Sequence, residues 1–186
     1  MRIISGDAKG RTLFAPQGAE TRPTSDKLRG SIFNILGGRV ADARVLDLFG
    51  GTGALALEAL SRGAKSAVLV DCGARACPVI QDNIDTLGCG DRARLLRMKD
   101  TAAIAALNRQ GAAFDLIFLD PPYRMDTAPV CAALIREGLL EEGGLIVAEH
   151  ARETPPSVPP PLLLLDRREY GVTGLSFYHI PKEETP

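Results

Sequence analysis

The chain has 186 residues, of which 45% are hydrophobic and 24% charged, with a formal net charge of −1. That length suits one domain with at most a small appendage, and the composition excludes disordered, collagen-like and membrane-embedded classes. The longest leucine run, residues 162–165, is far too short to span a bilayer. Met1-Arg2-Ile3-Ile4-Ser5-Gly6 lacks the sustained apolar stretch of a secretory signal, so a cytoplasmic protein is expected. Cys72, Cys77, Cys89 and Cys131 fall at irregular spacings without a CxxC pair, with His150 and His179 as the only histidines. They read as free thiols rather than as a metal site or disulfide framework. Charge is unevenly distributed. Residues 1–30 hold Arg2, Lys9, Arg11, Arg22, Lys27 and Arg29 against Asp7, Glu20 and Asp26, which makes this segment +3 and the remainder −4. A basic patch of this kind suits phosphates, although an ordinary solvated surface would carry the same charges.

In chain order, residues 2–5 and 11–15 are short strand-like runs around Gly6-Asp7-Ala8-Lys9-Gly10, a hairpin pattern that Pro16 and Gly18 end. Arg22-Pro23-Thr24-Ser25 leads into a helix with Leu28, Ile32, Ile35 and Leu36 on one face, capped by Thr24 or Ser25 and stopped by Gly37-Gly38. Five apolar runs follow at 44–48, 66–71, 93–98, 115–119 and 145–149, separated by helical stretches at 54–61, 74–87, 101–109 and 128–140. This alternation predicts an α/β fold with a parallel sheet. After the proline-rich loop 154–161, residues 162–170 and 175–180 flank Gly171-Val172-Thr173-Gly174, so the sheet is expected to end in an antiparallel hairpin. The chain divides into an N-terminal extension, 1–38, and a sheet domain, 39–186.

Chemistry concentrates at the strand ends. Val45-Leu46-Asp47-Leu48-Phe49-Gly50-Gly51-Thr52-Gly53 ends the first strand with an acid and a glycine-rich turn, which in a doubly wound sheet lies where ligands bind. Asp71 ends the second strand, where a carboxylate can accept hydrogen bonds from ribose hydroxyls. Gly51-Thr52-Gly53-Ala54-Leu55-Ala56 also fits the GxGxxA dinucleotide pattern, which keeps NAD or FAD binding in view. Asp120-Pro121-Pro122-Tyr123 closes the fourth strand at the same edge. Two prolines remove two amide donors and leave the Asp120 carboxylate and adjacent carbonyls as a rigid row of acceptors. Such a row suits an exocyclic amine. Its hydrogen bonds favour the pyramidal nitrogen whose lone pair can attack an electrophile, while Tyr123 can stack on the base.

These motifs resemble those of class I S-adenosylmethionine-dependent amino-methyltransferases. More narrowly, the chain resembles the bacterial methyltransferases of a guanine N2 in 16S ribosomal RNA, the RsmD family. The resemblance rests on residues 2–6, Lys9-Gly10-Arg11, Arg22-Pro23-Thr24, Ile32-Phe33-Asn34, residues 47–55 and 58–64, and Asp120-Pro121-Pro122-Tyr123. Asp71 departs from it, standing where many relatives carry glutamate, and Cys72-Gly73 replaces a more polar pair. The resemblance implies a Rossmann-like seven-stranded sheet and S-adenosylmethionine as cofactor. Asp47 and the turn Phe49, Gly50, Gly51 and Gly53 would hold its methionine end and Asp71 its ribose. Asp100 would meet the adenine, and Thr24 and Asn34 would close over the methionine part. A solvated loop acid, a helix cap and an exposed side chain are the respective structural alternatives for these last three. Asp120, Pro121, Pro122 and Tyr123 would be catalytic. Arg2, Lys9, Arg11, Arg22 and Arg29 would contact RNA. The implied partner is 16S rRNA, within an assembling small subunit, bound by a monomer without metal. The competing readings are adenine-N6 or protein-glutamine methylation, an NAD-dependent oxidoreductase and a non-catalytic RNA-binding protein.

Overall fold

The computed structural model describes residues 1–15, 26–122 and 125–181, so Arg22, Thr24 and Tyr123 of the expected site, and the Thr24 or Ser25 cap, lie outside the described residues. Strands β1 (Arg44–Asp47), β2 (Ser66–Asp71), β3 (Ala93–Arg97), β4 (Phe114–Leu119), β5 (Leu140–Ala151), β6 (Leu163–Tyr170) and β7 (Thr173–His179) form one sheet in the order β3-β2-β1-β4-β5-β7-β6. The first five run parallel, and β7 is antiparallel to both β5 and β6. The expected seven-stranded α/β sheet with its final hairpin is the fold observed.

Helices α1 (Asp26–Leu36), α2 (Ala54–Ser61), α3 (Ala76–Leu87), α4 (Asp100–Arg109) and α5 (Ala128–Arg136) cover both faces. Val45, Leu69, Phe118, Val147 and Phe177 pack with α1, α2 and α3. Leu46, Val70, Leu119, Ile146 and Tyr178 pack with α4 and α5. Burial on both faces is why the central strands are continuous apolar runs rather than alternating ones. The strand order reverses between β1 and β4, which opens a crevice at the carboxyl ends of these strands.

One expected element is corrected. The helix expected at 128–140 stops at Arg136, because the chain turns through Gly138 at φ 65° and Leu140 already pairs with Phe114 as the start of β5. The expected N-terminal hairpin forms: Arg2 bridges Thr12, and Ile3 N–H donates to the Arg11 carbonyl, Gly10 N–H to the Ile3 carbonyl and Leu13 N–H to the Met1 carbonyl, each at 2.9 Å. Four other backbone donors of its first run and turn go to α2. Ile4 and Ser5 N–H groups donate to the Glu58 carboxylate at 2.8 and 3.0 Å, and those of Asp7 and Ala8 to the Ser61 carbonyl and hydroxyl at 2.8 and 2.9 Å. Gly6 permits this approach: its φ is +83°, and a Cβ there would lie 1.7 Å from the Ser61 carbonyl oxygen. Among the described residues no helix is long and apolar enough to cross a membrane.

Candidate active site

Asp47 ends β1 with its side chain only 1% exposed. Burial, with Asp120 and then Asp71 as like-charged neighbours, raises its pKa to about 7, against the backbone N–H groups of Phe49 and Ala56 that favour the carboxylate. Its Oδ1 has no hydrogen-bond partner among the described residues. A buried carboxylate so placed is stabilised by a cationic or hydrogen-bond-donating ligand.

The turn that follows is held by β2. Gly50 N–H donates to the Val70 carbonyl at 2.8 Å, and Gly51 N–H to Asp71 Oδ2 at 2.8 Å. Gly73 N–H donates to Asp71 Oδ1 at 2.7 Å, so the half-buried Asp71 carboxylate fastens the two loops between which it lies and keeps further acceptor capacity on both oxygens. Gly53 begins α2 at φ +79°, and a Cβ there would press to 2.9 Å from a Leu69 methyl group. Its requirement for glycine is thus packing, not only ligand access. Phe49 is half-buried and Gly51 exposed.

Asp120 follows the last residue of β4 and faces Asp47 closely enough to raise its pKa. Pro121 is half-buried and Pro122 exposed. Asp100 opens α4 just beyond β3, half-buried, at the same edge of the sheet. The structure therefore brings Asp47, the glycine turn, Asp71 and Asp120 together, with Asp100 at the end of the neighbouring strand.

Upstream residues divide into two groups. Arg2, Lys9 and Arg11 are exposed, with an Arg11 Nη2 donating to the Thr86 carbonyl at the end of α3. Asn34 is exposed on α1, beside the buried Phe33 whose ring meets that of Phe118 at 5.9 Å. Arg29 is the correction. Its side chain is fully buried, 3.0 Å from Asp26, 3.6 Å from Glu58 and hydrogen-bonded to the Arg2 carbonyl, so its charge is spent inside the protein and is not presented to a phosphate. Two positioning residues escaped the sequence reading. Glu58, also fully buried, receives Arg29, Arg62 at 2.7 Å and the two N-terminal amides. Asn83 of α3 accepts from Phe14 N–H at 2.7 Å and donates to the Phe14 and Thr52 carbonyls at 3.1 and 2.9 Å, tying the N-terminal segment to the glycine turn. Their signal was a lone polar residue among apolar ones on a buried helix face.

The family model described as conserved hypothetical protein 95 matches residues 1–179. Bacillus subtilis YlbH is 42% identical over 180 residues, covering 96% of this chain and 98% of that protein. Ribosomal RNA small subunit methyltransferase D of Escherichia coli is 35% identical over 161 residues, covering 86% of this chain and 79% of that one. The solved structure of YhhF from Escherichia coli superposes with a TM-score of 0.87 at 32% identity, covering 98% of this chain and 99% of that chain.

Proposed function

Because the chain belongs to the conserved hypothetical protein 95 family, whose relatives include a small-subunit ribosomal RNA methyltransferase, we propose that it methylates ribosomal RNA, and more narrowly the N2 amine of a guanine in 16S rRNA, with S-adenosylmethionine as methyl donor. One observation carries the reading: a buried carboxylate, Asp47, with an unsatisfied oxygen lies between a glycine turn and the Asp120-Pro121-Pro122 acceptor row.

The residues present fit this cofactor. Asp47 would receive the ammonium of the methionine end, the exposed Gly51 leaves room over the turn, and Asp71 has acceptor capacity for ribose hydroxyls. When bound, the cofactor supplies a methyl group already activated on a sulfonium. The chain's part is orientation. Asp120 accepts a hydrogen bond from the guanine N2 amine and holds its lone pair toward the methyl, with a neighbouring carbonyl as second acceptor and Tyr123 stacked on the base. Extruding the base costs a few kcal/mol, which stacking and amine hydrogen bonds offset. Proximity and orientation supply most of the acceleration. Residues 1–38 act in this reading as the extension that contacts RNA through Arg2, Lys9, Arg11 and Arg22.

Mass-spectrometric mapping of modified nucleosides in 16S rRNA from cells with and without the gene tests the reading. Loss of one N2-methylguanosine is expected, and restoration by the parent gene but not by Asp120→Ala. If that variant, with cofactor affinity within a few fold of the parent, restores the modification fully, the acceptor role is wrong.

A further inference from the structure

Four acids stand in a row at the carboxyl edge: Asp71 and Asp47 end β2 and β1, Asp120 directly follows β4 and Glu149 lies two residues before the end of β5, and these strands are neighbours in the sheet. Each lies two residues after a side chain of the core beneath α1 to α3, namely Leu69, Val45, Phe118 and Val147, so all four point to the same face. Leu119 pairs with Ala148, and one residue beyond that pair lie Asp120 and Glu149, side by side on strands about 4.8 Å apart. Asp47 marks the row as a ligand site, being 1% exposed, with Oδ1 unsatisfied among the described residues, and close to both Asp120 and Asp71. No group of three or more described acids, cysteines or histidines is arranged to hold a metal ion, so hydrogen-bond donors are the fitting occupant.

The proposed function uses the first three acids, and this inference rests on that reading. We propose that Glu149 is the residue that specifies guanine, by accepting a hydrogen bond from its N1–H while Asp120 holds the adjacent N2 amine. Those two donors are neighbours on the edge by which an extruded guanine is read, and two acceptors on adjacent strands bracket them. An adenine presents a lone pair at N1, which faces a carboxylate unfavourably. Glu149 is half-buried with Oε2 withdrawn from water, so its preference is not diluted by solvent. The strand end that bears it is braced from the opposite face. His150 Nδ1–H donates to the Ala151 carbonyl at 2.8 Å, and Nε2 accepts from the Ser176 hydroxyl at 2.8 Å, an arrangement of the neutral ring that burial favours by lowering its pKa.

2-Aminopurine keeps the 2-amine but lacks N1–H together with O6, so the change of preference in a Glu149 variant assigns the N1–H contact. The rRNA target found by nucleoside mapping is prepared with guanosine or with 2-aminopurine riboside at the modified position, and methyl transfer to each is measured in single turnover. The parent is expected to prefer guanosine by at least about 100-fold, as sites built to bind an N–H reject analogues without it. Glu149→Gln, whose amide can either accept or donate, should reduce that preference to within about fivefold with unchanged S-adenosylmethionine affinity. A Glu149→Gln variant that slows both substrates equally and keeps the preference overturns the proposal, as does a parent that methylates both at similar rates. Where Glu149→Gln is insoluble, Glu149→Asp, which keeps the acceptor but shortens its reach, is read in the same way. A product without N2-methylguanosine defeats the reading of the reaction itself, whereas N2-methylguanosine formed without preference defeats only the role of Glu149.

Discussion

Asp47 shows how one residue couples stability to binding. Its folded pKa lies at about 7, above the ordinary aspartate value, so between about pH 4 and 7 the folded chain holds a proton that the unfolded chain has released. Stability from the neutral form is complete below the unfolded pKa and is lost as pH rises through the folded one. Asp47→Asn should remove this dependence and make the ligand-free protein more stable than the parent at pH 8, by on the order of 1 to 3 kcal/mol, in denaturant titrations at pH 5 and 8. The same variant should bind S-adenosylmethionine at least about tenfold more weakly, a loss of about 1.4 kcal/mol. It should also lose the rise in affinity between pH 6 and 8 expected of the parent as Asp47 ionises. Equal affinity and an equal pH profile in calorimetry would contradict a charge role for this carboxylate.

At the scale of elements, α2 is the hub. All eight of its residues are buried, and Glu58 is its only charged side chain. It is bonded at once to α1 through Arg29, to its own C-terminal side through Arg62 and to the N-terminal segment through two amides. Glu58→Ala would leave Arg29 buried without that carboxylate, a change that costs about 3 to 5 kcal/mol. Urea titration should register the loss, and Glu58→Ala combined with Arg29→Leu should recover part of it. A double variant as unstable as the single one would contradict the pairing. Both residues were partly legible. Arg29, Ile32, Phe33 and Leu36 follow the i, i+3, i+4, i+7 pattern of a buried helix face, and Glu58 interrupts an otherwise apolar helix. Net charge along the chain does not carry that pattern, because it has no direction.

Across the whole molecule, Arg29 is neutralised within the protein, and the exposed cations described upstream of the sheet are Arg2, Lys9, Arg11, Lys27 and Arg39. The hairpin that carries three of them is anchored by Glu58, Ser61 and Asn83 to elements that position the glycine turn, so RNA and cofactor would be held in a fixed relation. Lys9→Glu with Arg11→Glu should weaken RNA binding and flatten its salt dependence, by roughly 0.7 to 0.9 in slope for each phosphate that is no longer neutralised. Cofactor affinity should hold, because exposed charges farther apart than about 8 to 10 Å are largely screened at physiological salt. An unchanged salt slope would mean that RNA docks elsewhere.

The parallel sheet, its closing hairpin and the acids at the ends of β1, β2 and β4 were legible in the sequence, since strand runs and the turns that end them are local patterns of apolar and glycine or proline residues. So was the extent of most elements: α2 and β2 fall where the spacing predicted. Tertiary structure alone decided three matters. It docked the N-terminal hairpin on α2 through the amides of Ile4, Ser5 and Ala8, because Glu58 and Ser61 offer acceptors 53 to 54 residues along the chain. It buried Arg29, because α1 turns that face onto Glu58. It also set Glu149 beside Asp120, since β5 joins the sheet next to β4 in a register that no local pattern encodes. Periodicity reports which face of an element is apolar. Which element that face meets, and what polar group it finds there, is settled only when distant segments pack.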